Sequence, residues 1–222
     1  MVKGMKIEPG TPTIVPAICG TWATYYQMMP PVSTRSVVYA DGKAVDIFDP
    51  QIWIKYKWGL ADPSQDKMLK ILLPNAKTAT ERRKIALEHL VKCLKRAKQF
   101  TEAMRVHASP PDNVRLYLFQ GDAVETTRQA TVDPKTGKLT VTDYEPGDGK
   151  VLVTSSIWDE RLGMKKLAPY TICPIDWTAI YRLSAAHMGI TRMQVFADNM
   201  TCCLLIMQTP AQIKRIKRFQ KH

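Results

Sequence analysis

Two short stretches of the chain carry a carboxylate and an imidazole in loops of small residues: Pro146-Gly147-Asp148-Gly149-Lys150-Val151 and Ala185-Ala186-His187-Met188-Gly189-Ile190. Held together, such groups activate a hydroxyl. The carboxylate keeps one imidazole nitrogen protonated and oriented, so the other nitrogen takes a proton from the attacking hydroxyl and later returns it to the leaving group. Each stretch also has an ordinary explanation. Pro-Gly-Asp-Gly is turn chemistry in its own right, and a histidine in a short loop more often serves structure than catalysis.

The elements that would position these loops are legible as changes of period. Val114 to Gly121 (VRLYLFQG) is a compact run of β-formers ending at glycine, the pattern of a buried strand feeding a functional loop. Residues 127–144 alternate apolar and polar side chains around Asp133-Pro134-Lys135-Thr136-Gly137, which predicts a β-hairpin. Trp177 to Leu183 reads as another strand, and Phe196 to Met207 is apolar enough for a largely buried helix.

Upstream, the first 60 residues are rich in proline and aromatics. They read as loops and short strands packed by Trp22, Tyr25, Tyr26, Trp53 and Trp58, with a hairpin-like YADGKAVD. A short helix lies between Asp62 and Leu73 and stops at Pro74. From Thr78 to His107, Ile85, Leu87, Leu90, Val91, Leu94, Ala97, Phe100 and Met104 recur at helical steps. They are opposed by Arg82, Arg83, Lys84, Lys92, Lys95, Arg96 and Lys98. That predicts a long amphipathic helix over 78–107 with a basic outer face, opened by a Thr78–Glu81 capping box. Residues 210–222 read as a basic amphipathic tail. With no repeat and no linker composition, one domain over 1–222 is the simplest division.

The 222 residues, 45% hydrophobic and 23% charged, suit a folded domain of α/β class. No apolar run reaches the roughly 18 residues of a membrane span, and the first residues lack a secretion-signal pattern, so a soluble, cytoplasmic chain is expected. Cysteines 19, 93, 173, 202 and 203 form no CxxC pair and no zinc spacing, and no cofactor or metal is expected. A net charge of +12 favours anionic partners: phospholipid headgroups, nucleic acid or acidic proteins.

Acid then base, each following a strand, is the chain order of the acid and histidine in α/β-hydrolases. The resemblance narrows to the lecithin:cholesterol acyltransferase family and its lipase and esterase relatives. It is carried by Val114-Arg115-Leu116-Tyr117 with Gly121, Gly147 to Val151, His187-Met188-Gly189-Ile190, and Phe196-Ala197-Asp198-Asn199. Tyr26-Gln27-Met28-Met29-Pro30 is similar to the family's Tyr-Gln-Leu-Leu-Pro segment. Asp49-Pro50, Trp53 and Trp58-Gly59-Leu60 resemble its bacterial members.

The resemblance implies the C-terminal part of an α/β-hydrolase sheet, with the 78–107 helix in the cap region and ester or lipid substrates. Asp148 would support His187, and His187 would act as general base and then general acid in acyl transfer. The family's Gly-x-Ser-x-Gly elbow is absent. Ser33, Ser36, Ser64, Ser109, Ser155, Ser156 and Ser184 all lack glycines two positions to either side. The chain would then be a truncated product, one subunit of a split enzyme whose N-terminal complementary half supplies the serine, or a remnant whose other half is lost, and the lone chain is expected to be inactive. Lys150 stands where the family has threonine, and could compete with His187 for Asp148.

The basic helix and tail are compatible with docking at an anionic membrane surface, although ordinary solvated faces are the commoner reading of such charge. The competing class is a non-catalytic basic binding protein for nucleic acid or anionic surfaces. Against nucleic acid, the chain has no RNA-recognition signature, no helix-turn-helix spacing and no interleaved aromatics on its basic faces.

Overall fold

A computed structural model describes residues 16–158 and 173–205. Its helices are α1 (Pro16–Gly20), α2 (Ala23–Gln27), α3 (Pro50–Tyr56), α4 (Asp66–Leu72), α5 (Ala79–Ala103), α6 (Val153–Ser156) and α7 (Gln194–Leu205). Its strands are β1 (Val37–Tyr39), β2 (Tyr117–Gly121), β3 (Val124–Val132), β4 (Leu139–Gly147) and β5 (Ala179–Leu183). Helices combine with small sheets containing parallel pairs, an α/β composition as expected. Among the described residues no helix is long and apolar enough to cross a membrane.

The sequence shows no boundary, but the contacts gather into two compact units. One holds the described residues up to Arg105 with Gln129–Thr142, and the other holds Val106–Arg128 with the described residues from Asp143 on. The first unit contains the large core: Tyr26, Trp53, Tyr56, Trp58, Leu90, Leu94, Ala97 and Val132. Trp53 meets Trp58 edge to face at 5.9 Å, a favoured aromatic geometry. Both indole N–H groups are satisfied within the unit, Trp53 by the Ile47 carbonyl at 2.7 Å and Trp58 by the Gly137 carbonyl at 2.8 Å.

Helix α5 ends at Ala103, short of the predicted His107, and Thr78 Oγ1 accepts the Glu81 amide at its start. The predicted outer face needs one correction. Arg82 is buried and forks onto Asp66, with Nε–Oδ1 and Nη2–Oδ2 both at 3.0 Å. The bidentate carboxylate satisfies the guanidinium, so the arginine packs inward. Residues 50–56 form a helix where short strands and loops are expected. Asp49 Oδ1 accepts the Gln51 amide at 2.8 Å and Pro50 supplies a helical φ at the first position. Trp22 is 54% exposed and stacks on Tyr25 outside the core it was expected to help build.

In the second unit β2 and β5 pair in parallel, Tyr117 opposite Ala179 through Gly121 opposite Leu183. Phe119 stacks on Tyr181 at 4.8 Å and meets Phe196 of α7 at 4.9 Å. The expected 127–144 hairpin is present as β3 and β4, longer than predicted at both ends, with Gln129–Thr142 counted in the first unit and the strand ends in the second. Helix α7 is not largely buried: of its described residues Cys203 alone is, while Val195, Leu204 and Leu205 are exposed. The two-strand sheet has too little surface to cover it. The 210–222 tail lies outside the described residues.

Candidate active site

The acid loop follows β4 directly. Gly147 and Asp148 leave the strand, Gly149 turns at φ +90°, and Val151 returns the chain so that the Asp148 amide donates to its carbonyl at 3.1 Å. Positive φ is a glycine conformation, so Gly149 is the residue that lets this turn close. Asp148 Oδ1 accepts the amides of Lys150 at 2.9 Å and Val151 at 2.7 Å, which fixes the carboxylate from within its own turn.

The other carboxylate oxygen faces His187. Oδ2 lies 2.8 Å from His187 Nδ1, and the His187 amide donates to the Asp148 carbonyl, also at 2.8 Å. The histidine opens a 3₁₀ turn (His187–Arg192) four residues after β5. Strand β5 is in register with β2, and the ends of the two strands approach closely. A Cβ on Gly121 would collide with the Ala185 carbonyl oxygen and come within 2.9 Å of Asp148 Cβ. Glycine at the end of β2 is therefore what allows acid loop and base loop to meet.

Burial pushes the Asp148 carboxyl upward. The His187 hydrogen bond and the Val151 and Lys150 amides outweigh that effect, and its pKa lies below the ordinary carboxylate value. An ionised carboxylate has no proton to give, so in the neutral imidazole Nδ1 carries the hydrogen and Nε2 presents a lone pair. Asp148 is 6% exposed, whereas the His187 side chain is 47% exposed. No described residue hydrogen-bonds His187 Nε2. The arrangement is a buried carboxylate orienting an imidazole whose second nitrogen has no hydrogen-bond partner among the described residues.

Lys150 does not compete for the acid. Its contribution to Asp148 is the backbone N–H, and its side chain is exposed. None of the serines bonds the imidazole. Ser156 donates to the Val153 carbonyl and contacts the Gln120 amide, while Ser155 and Ser184 are exposed.

A second histidine–aspartate pair, which sequence reasoning missed, contains the same residue types in a different wiring. Ser109 Oγ donates to Asp176 Oδ2 at 2.6 Å and His107 Nε2 lies 3.1 Å from Oδ1. Serine and histidine both bond the carboxylate, so its pKa is lowered first by Ser109 and then by His107, and the hydroxyl is not activated. With Ala108 donating to the Pro174 carbonyl, this cluster ties residues 107–109 to 174–176. Nothing in the sequence spacing, 107 against 176, marks it. Among the described residues no set of three or more His, Cys, Asp or Glu side chains could hold a metal ion.

No family model matches the chain, and no curated protein matches it.

Proposed function

We propose that this chain carries the acid and base of a serine-dependent acyl transfer, as the later part of an α/β-hydrolase related to the lecithin:cholesterol acyltransferases, with α5 in the cap region. The observation that carries this is the 2.8 Å contact between His187 Nδ1 and the buried carboxylate of Asp148, with Nε2 free of hydrogen bonds among the described residues. Two further features support it. The acid and base loops follow β4 and β5, and β5 pairs in parallel with β2. A two-strand parallel sheet is marginal alone, and the second unit exposes Ile180, Val195, Leu204 and Leu205 where further sheet would give cover.

In this mechanism a serine hydroxyl contributed by polypeptide outside this sequence sits at Nε2. Its O–H proton moves to Nε2 as the oxygen attacks the ester carbonyl. The resulting imidazolium is stabilised by Asp148, which stays ionised. The proton passes from Nε2 to the leaving alcohol oxygen as the ester C–O bond breaks, leaving an acyl-serine. Water or an acceptor alcohol repeats the cycle to release the acyl group. Oxyanion donors come from the same external segment, because no nucleophile elbow is present here. The substrate class, a lipid-like ester, follows from the family resemblance.

The test is labelling with a serine-directed fluorophosphonate after native purification from the cells that encode the chain. The expected result is one labelled serine, in polypeptide outside this sequence, whose labelling is lost on His187→Ala. Labelling indifferent to His187 would refute the proposal.

A further inference from the structure

We propose that Thr126 of β3 is a positioning residue for Asp148, setting the acid loop through both glycines that flank it; this rests on the acid–base role proposed for Asp148 and His187. Thr126 is 3% exposed and lies on the strand that runs beside the acid loop, Val124 being bridged to Asp148. Its hydroxyl donates to the Val124 carbonyl at 3.0 Å, which commits its one hydrogen and aims its lone pairs outward. The Gly149 amide donates to that oxygen at 2.8 Å. On the other side of the acid, Gly147 packs against the same side chain. A Cβ there would collide with Thr126 Oγ1 and the Val151 carbonyl oxygen and lie 2.8 Å from Thr126 Cβ.

One side chain thus accounts for both glycines. Gly147 is small because the threonine occupies the space beside it, and Gly149 is held at positive φ with its amide turned onto the hydroxyl. Asp148 sits between them. Its Oδ1 is held by the turn's own amides, and the direction of Oδ2 depends on where the Gly147–Gly149 backbone is anchored. Removing the hydroxyl removes that outside anchor while leaving the side-chain volume. The loop amide then turns to water, and the turn is free to rotate about its strand end, carrying Oδ2 away from Nδ1.

The readout is the imidazole N–H of His187, observed by NMR on ¹⁵N-histidine-labelled chain. A hydrogen donated from Nδ1 to a carboxylate resonates far downfield, a shift that general stability does not produce, and its exchange with water is compared at matched global stability because opening also speeds exchange. The wild type is expected to show this resonance and Asp148→Asn to lose it. In Thr126→Val the proton is expected to exchange about five-fold faster, the equivalent of one ordinary hydrogen bond of about 1 kcal/mol. Thr126→Ser, which restores the hydroxyl, is expected to recover the wild-type rate. Thermal melts establish that each variant is folded.

An unchanged exchange rate in folded Thr126→Val, with the resonance lost in Asp148→Asn, would overturn the role of Thr126 and leave the pair standing. A resonance absent from the wild type would overturn the pair itself. If Thr126→Val fails to fold, Thr126→Ser decides. Retention of the wild-type rate supports the hydroxyl as the anchor, and loss of the resonance in that folded variant overturns it.

Discussion

Gly121→Ala is the sharpest structural perturbation of the site, because it adds one methyl where acid loop and base loop meet. The added carbon would lie 2.9 Å from Asp148 Cβ, against about 3.4 Å for an ordinary contact, and would collide outright with the Ala185 carbonyl oxygen. Both neighbours are fixed: Ala185 by the hydrogen bond its N–H donates to the Leu183 carbonyl, and Asp148 by its turn. The loops must therefore separate by at least about 0.5 Å. Added to the 2.8 Å between His187 Nδ1 and Asp148 Oδ2, that shift reaches about 3.3 Å, the limit of a useful hydrogen bond. Overpacking of this kind costs about 1–3 kcal/mol.

Gly189→Ala, in the turn that His187 opens, is the control, since nothing lies within 4 Å of a Cβ there. It should change stability by no more than about 0.5 kcal/mol. Hydrogen exchange followed by mass spectrometry resolves the effect along the chain. Gly121→Ala should deprotect residues 117–121, 147–151 and 179–187, and Gly189→Ala should leave them unchanged. Equal behaviour of the two variants would refute the close approach of the loops.

Asp148→Asn should destabilise the fold by about 1–3 kcal/mol near neutral pH in urea melts, by leaving a buried polar network mismatched. Because the folded carboxyl titrates below its ordinary value, the wild type's advantage is full above about pH 3.9 and disappears as the pH falls through the depressed value. A difference that grows toward acid would contradict the assignment. Leu90→Ala, at a fully buried position of α5, should cost about 2–5 kcal/mol and deprotect the first unit's helices in hydrogen exchange. Sedimentation with anionic phospholipid vesicles should show binding that weakens with salt and with Lys92→Glu and Lys95→Glu on the exposed face of α5, whereas preferential binding to mixed RNA would favour the non-catalytic alternative.

Asp148 and His187, which the structure brings into contact, were legible as candidates because both leave a mark in sequence. Glycines bracket Asp148, and His187 follows a strand-like run in a loop of small residues. Long-period and turn signals were equally direct: α5, the Asp133–Gly137 hairpin turn, β2 and β5 all lie where periodicity and turn residues placed them. What failed to show depends on partners distant in sequence. Arg82 reads as one more cation on a basic helix until Asp66 satisfies it, and Thr126 is an ordinary β-former until the acid loop folds onto it. Helix α7 is apolar, but burial is a property of what packs against a helix, and the two-strand sheet covers only part of it. Helix α3 did have a local signal, Asp49 followed by Pro50, masked by the β-forming character of Ile52, Trp53, Ile54 and Tyr56.

Whether this chain supplies an oriented base and no nucleophile is decided by exposing the purified chain alone to a serine-directed fluorophosphonate and a short-chain nitrophenyl ester. No covalent label and no hydrolysis beyond the slow background of an exposed imidazole are expected, since the proposed mechanism assigns the nucleophile and the oxyanion donors to polypeptide outside this sequence. Stoichiometric labelling of a serine within the chain, abolished by His187→Ala, would contradict it and locate the nucleophile here, with Ser155 and Ser156 the first to be mapped.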